Sequence, residues 1–147
     1  MTIRLYLVCD HLLFRTGLTR LLRREPDVHV VGECPLGLDA ADQVRVADAD
    51  VVLLSVDTPN TASAPAAQRL YRDLMNVPVV LLLMGDDGDD ALAALRLGAR
   101  GVLDKHTDGT RLVNALRQAV VGEITVTPRL ATRLVAEYAA IATGRKP

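Results

Sequence analysis

Ala49-Asp50-Val51-Val52-Leu53-Leu54-Ser55-Val56-Asp57-Thr58-Pro59 is the stretch that decides the fold. Four aliphatic residues run consecutively from Val51 to Leu54, opened by an acidic residue and closed by a polar one and a Pro-containing turn. A short, wholly apolar run with such ends predicts a strand buried on both faces, as central strands of parallel sheets are. Open α/β folds place their ligand chemistry just past the carboxyl ends of these strands. Ser55 is therefore expected at the mouth of the site.

The same logic works outward in both directions. Ile3 to Val8 reads as a first strand, ending at Cys9-Asp10. Phe14, Leu18, Leu21 and Leu22 then recur at helical spacing, and Pro26 stops that helix. Val28, Val30 and Val31 make a second strand, and Leu38 to Ala47 a modest helix. Beyond the central strand, Thr58 to Ala64 is rich in turn formers and predicts a loop. Pro65 suits the first position of a helix that buries Leu70 and Leu74. Val77 to Leu83 is a fourth strand, followed by an acidic loop and a helix with Leu92, Leu95 and Ala99 inward and Gly98 at its C-terminal cap. Gly101 to Leu103 is a fifth strand, and Thr107 or Asp108 caps a helix that buries Leu112, Val113, Leu116 and Val120.

Five alternations of strand and helix predict an α/β fold: a doubly wound parallel sheet with helices on both faces. Residues 1–124 hold that pattern. Residues 125–147 follow it, with Leu130, Leu134, Tyr138 and Ile141 forming the apolar stripe of an extra helix. That stripe fits either its own domain or a second copy of the chain. Gly144-Arg145-Lys146-Pro147 has the composition of a linker.

Composition narrows the function. The 147 residues suffice for one domain, and the core must be aliphatic, since the chain has one Phe, three Tyr and no Trp. A net charge of −1 gives no basic footprint, so no direct binding of nucleic acid by this chain is expected. With no spanning apolar run and no signal-peptide pattern, a soluble cytoplasmic protein without membrane contact is expected. Cys9 and Cys34 make no metal motif and are expected as free thiols, with a redox pair as the less favoured reading.

Several motifs in order resemble a known family. Val8-Cys9-Asp10-His11, Leu13-Phe14-Arg15-Thr16-Gly17-Leu18 and Val30-Val31-Gly32-Glu33 are followed by Asp50 to Leu54, Val77-Pro78-Val79, Leu95 to Gly101 and Lys105. Together they resemble the receiver domain of bacterial two-component response regulators, of the NarL/FixJ kind with a LuxR-type helix-turn-helix output. The resemblance implies a flavodoxin-like sheet of five strands in the order 2-1-3-4-5. It also implies a phosphorylation site: two acidic residues for magnesium, an acceptor aspartate, a Ser or Thr after the fourth strand, and a lysine after the fifth.

Carried over one residue at a time, the acidic pair falls on Cys9 and Asp10, the acceptor on Ser55, the hydroxyl on Leu83 and the lysine on Lys105. Three of those five positions depart from the pattern, and the pocket reads as a degenerate phosphorylation site. A serine hydroxyl is a weak nucleophile without an adjacent base. Magnesium prefers a shell of hard oxygens, for which a cysteine is a poor substitute. Leu83 has no hydrogen bond to offer. No metal and no cofactor are therefore expected, and no catalytic residues.

Other readings stand beside this one. Asp57, two residues past Ser55, is a candidate replacement acceptor, against a solvated loop carboxylate near the turn before Pro59. Asn60 to Ala64 stands where the family carries a glycine, which points to a reshaped loop. Asp86, Asp87, Asp89 and Asp90 read as a solvated loop and helix N-terminus rather than a metal site. His11 reads as a cap of the first helix, and His29 and His106 as surface residues. A small flavodoxin-like enzyme or nucleotide binder is disfavoured, because Cys9-Asp10-His11-Leu12 is no glycine-rich phosphate loop.

The expected function is thus regulatory. It is a receiver switched without phosphorylation, by homodimerisation, a protein partner or a small ligand in the vacated pocket. It would act through its own C-terminal DNA-binding domain, which lies outside these residues. The chain is accordingly expected to be a fragment of a longer regulator or a stand-alone receiver.

Overall fold

The computed structural model describes residues 2–58, 60–74, 76–85 and 88–144. Pro59, Asp86, Asp87 and the expected linker residues Arg145, Lys146 and Pro147 lie outside the described residues.

The central run forms β3 (Val51–Val56), two residues longer than its aliphatic core. It is flanked by β1 (Ile3–Cys9), β2 (Val28–Cys34), β4 (Val79–Leu83) and β5 (Gly101–Asp104). All pair in parallel, so every connection is a crossover, and the helices supply it. These are α1 (Leu12–Leu22), α2 (Ala40–Val46), α3 (Pro65–Asp73), α4 (Gly88–Leu97) and α5 (Gly109–Val120).

Their ends carry the expected chemistry. The His11 Nδ1 accepts from the Phe14 N–H at 3.2 Å and caps α1. The Asp108 carboxylate accepts from the Arg111 N–H at 2.8 Å and caps α5. Pro65 opens α3, and Gly98, at φ +119°, ends α4 in a conformation that side chains disfavour. In the loop after β3, Asn60 adopts φ +64°, a left-handed conformation that asparagine tolerates better than most residues.

The sheet has six strands rather than five, in the order β2-β1-β3-β4-β5-β6. The added strand, β6 (Thr125–Val126), lies parallel to β5 through Gly101↔Thr125 and Val102↔Val126. Gly122, at φ +88°, turns the chain back after α5. Gly101 then permits the close approach, since a Cβ there would stand 3.3 Å from the Thr125 carbonyl oxygen. The pairing covers an edge that would otherwise be open.

The two faces bury separate aliphatic clusters. One packs α1 and α5 through Leu18, Leu22, Leu112 and Leu116. The other packs α2, α3 and α4 through Val44, Leu70 and Leu92, and includes Leu130. Leu130 belongs to α6 (Pro128–Ala142), which follows β6 and lies against α4. Leu130 is buried and Leu134 partly so, whereas Tyr138 and Ile141 are 74% and 66% exposed. The predicted stripe is therefore divided: its first half packs on its own domain and its second half faces outward.

Candidate functional site

The carboxyl ends of β1 and β3 enclose a cavity of about 210 Å³, lined by Cys9, Asp10, Phe14, Ser55, Asp57 and Met84 among others. It lies at the strand ends, where α/β folds bind ligands. Cys9 and Ser55 are direct register partners across β1 and β3. Ser55 lies inside the strand and is only 6% exposed, deeper than a loop position at the mouth would be.

Burial pushes the Cys9 thiol up, against weaker opposing contacts from the His11 backbone, the Ser55 hydroxyl and Arg15. The thiol donates to the His11 carbonyl at 3.6 Å. It thus stays protonated at neutral pH, unlike the thiolate that metals and electrophiles require. One Asp10 carboxylate oxygen accepts the Leu36 N–H at 2.7 Å, which ties it to the loop after β2. Asp57 is exposed and lines the same cavity. The hydroxyls of Thr58 and Thr61 hydrogen-bond each other at its rim.

The other two predicted positions lie apart. Leu83 pairs in register with Val56 and Asp104, and its side chain lines a different cavity, on the α4–α6 side. Strand alternation explains the separation: Leu83 shares the cluster of Val56, whereas Cys9 belongs to the opposite face. Lys105 follows β5, is exposed and lines neither cavity. The structure therefore brings Cys9, Asp10, Ser55 and Asp57 together, and places Leu83 on another cavity.

The family's acidic pair is reduced here to one carboxylate, Asp10, with Asp57 the second carboxylate on the cavity. The acidic pair after β1 supplies one carboxylate and one protonated thiol, a poor shell for a hard cation. Among the described residues, no three His, Cys, Asp or Glu side chains group as a metal site. The redox-pair reading of the cysteines is overturned. Both are free and buried, and they belong to clusters on opposite faces of the sheet. His29 and His106 are exposed, as expected for surface residues.

Asp90 departs from the solvated-loop reading. It is 3% exposed, inside the first turn of α4. Its carboxylate accepts the Ala62 N–H at 3.1 Å and the Ser63 hydroxyl at 2.8 Å. The Tyr71 hydroxyl donates to the Ala62 carbonyl at 2.9 Å, closing the same loop from below. Asp90 thus fastens the segment after β3 to α4. One sequence signal could have found it: Asp90 and the fully buried Ala94 are four residues apart, on one helical face.

Known proteins agree with this architecture. Residues 5–117 match the response regulator receiver domain family. The transcriptional regulatory protein DegU of Brevibacillus brevis is 30% identical over 136 residues, covering 92% of this chain and 58% of DegU. The nitrate/nitrite response regulator NarL of Escherichia coli K12 is 30% identical over 134 residues, covering 91% of this chain and 62% of NarL. The chain thus spans about three fifths of the length of these relatives. Among solved structures, a LuxR-family two-component response regulator from Aurantimonas superposes with a TM-score of 0.81 at 27% identity, covering 95% of this chain and 99% of that one. The signal receiver domain of a response regulator assigned as NarL in Mycobacterium tuberculosis gives a TM-score of 0.72 at 30% identity, over 83% of this chain and 98% of that one. With the sheet order, the strand-end cavity and these likenesses in agreement, the chain belongs to the response regulator receiver domain family, among relatives of the LuxR and NarL kind.

Proposed function

We propose that this is a non-catalytic, cytoplasmic receiver that regulates without accepting a phosphoryl group. Residues 1–124 are its regulatory domain and residues 125–147 its linker toward a DNA-binding output domain outside this chain. One observation carries the reading. Ser55, which the family resemblance puts at the acceptor position, is nearly buried and has the protonated Cys9 thiol as its cross-strand neighbour. Acyl-phosphate formation needs an ionised carboxylate there. A buried hydroxyl beside a thiol has neither the charge nor the base that would activate it. Receivers are two-state devices, and a receiver without this trigger is biased by whatever binds one state better. A small ligand, a protein partner or a second copy of the chain each qualifies.

The test is incubation with acetyl phosphate and magnesium followed by intact-mass measurement. An unchanged mass is expected. The second reading makes Asp57 the acceptor, and it has one observation in its favour: its carboxylate lines the same cavity as Ser55. A gain of one phosphoryl mass that disappears in Asp57→Asn would establish that reading instead.

Homodimerisation is part of the proposal. Val135, Tyr138 and Ile141 leave apolar surface on the distal half of α6, which suits a second copy. Light scattering on the chain and on a Tyr138→Glu/Ile141→Glu variant tests it. A dimer mass that falls to the monomer value in the variant is expected, and a monomer at high concentration contradicts it.

A further inference from the structure

A second cavity, of about 270 Å³, lies between α6 and the ends of β4 and β5. Its size is just under the roughly 300–1,000 Å³ of drug-sized ligand sites. Its walls are Leu83, Ala91, Val102, Leu103 and Leu130, contributed by the sheet, by α4 and by α6. Its polar side chains are Asp104, Thr127, Arg129 and Arg133.

Most of those groups are already engaged. One Asp104 carboxylate oxygen accepts the His106 N–H at 2.9 Å. Arg133 donates to Asp89 at 2.6 Å. The Thr127 oxygen accepts the Leu130 N–H at 3.2 Å, which leaves its own O–H to donate. Arg129 is different, because it makes no ion pair among the described residues. A mainly apolar chamber in which one unpaired guanidinium and one free hydroxyl outweigh the partly engaged Asp104 carboxylate has a defined complement. It suits a compact apolar body carrying one terminal carboxylate, the group that a guanidinium grips with two parallel hydrogen bonds.

We propose that this cavity binds a small apolar organic acid, with its carboxylate on Arg129 and the Thr127 hydroxyl. The proposal deepens the phosphorylation-independent reading and rests on it, because it supplies a trigger in place of the phosphoryl group. The ligand touches Leu83, at the β4 end where the family resemblance places the switching hydroxyl, and Leu130, which docks α6. Occupancy therefore favours the docked α6 by mass action. A trigger at the strand end and the position of the linker helix become one equilibrium.

The experiment uses two probes of one shape, 2-naphthoate and the uncharged 2-naphthamide, titrated into the isotopically labelled 147-residue chain and followed by NMR. Saturable shifts at Leu83, Ala91 and Leu130 are expected for the naphthoate. The amide should bind about fivefold more weakly, the loss of one exposed charge-assisted contact. Arg129→Gln, a surface change, should remove that difference, and Ala91→Leu, which fills the chamber, should weaken both probes. Equal affinity for the two probes, indifference to Arg129→Gln, shifts centred on Cys9 and Ser55, or no saturable binding would each overturn the site. None of these results bears on the phosphorylation-independent reading, which the mass measurement with acetyl phosphate decides alone.

Discussion

Cys9 and Ser55 face each other as register partners on adjacent parallel strands, a protonated thiol beside a nearly buried hydroxyl. The family resemblance puts the pair where its pattern needs two carboxylates, and on the proposed reading residue type, not a change of backbone, sets the character of the cavity. Restoring the acids should then restore the chemistry. A Cys9→Asp/Ser55→Asp variant should be destabilised in the absence of divalent cations, because two carboxylates are confined together in a buried site. Magnesium should raise its melting temperature and leave the parent chain unchanged. The variant should also take up a phosphoryl mass from acetyl phosphate. A folded double variant indifferent to magnesium would contradict the account.

Asp90 holds the loop after β3 against α4 with one buried and one part-buried hydrogen bond. Asp90→Ala leaves the Ala62 N–H and the Ser63 hydroxyl without this acceptor. The expected cost is about 2 kcal/mol, within the penalty for unsatisfied buried groups. Urea unfolding of Asp90→Ala measures it, and Asp89→Ala, at the exposed neighbouring position, should lose much less.

Burial, aided by Cys34, Asp39 and Glu33, pushes the Tyr6 phenol up to about 12 from an ordinary 10.0. The sign follows from which form the fold prefers. The folded chain holds the proton more tightly than the unfolded chain, so this contribution is complete below pH 10.0 and is lost as pH rises toward about 12. In an ultraviolet titration, one phenolate step near 12 should vanish in Tyr6→Phe. A Tyr6 step at the ordinary value would contradict the burial argument.

The dock of α6 rests on Leu130 and on two ion pairs to α4, Arg133 with Asp89 and Arg96 with Glu137. Exposed ion pairs contribute little, so the leucine should dominate. Leu130→Ala should raise hydrogen exchange throughout 128–142 and leave β1 and β3 protected. A double Arg96→Ala/Arg133→Ala variant should have the smaller effect. The opposite ranking would move the dock from packing to charge.

The strands and helices were legible because Val51 to Leu54 and Val79 to Leu83 are continuous aliphatic runs and the helices repeat at their own period. Thr125-Val126 offered no such run, and its pairing depends on Gly101 and on the turn at Gly122, which are tertiary facts. The grouping of Cys9, Asp10 and Ser55 follows from their places at strand ends, whereas sequence alone leaves Asp57 open between this cavity and a solvated loop, and it is exposed and lines the cavity. The placement of Leu83 did not, because family position gives the strand end but not the face of the sheet. Asp90 could not be told from Asp89 by composition; only the phase of α4 separates a buried carboxylate from an exposed one.

The claim that Ser55 silences this receiver is tested most directly by intact-mass spectrometry after exposure to acetyl phosphate and magnesium. The account predicts the unmodified mass for the parent chain under conditions that modify Cys9→Asp/Ser55→Asp. An added phosphoryl group on the parent chain, lost in Asp57→Asn, would contradict it.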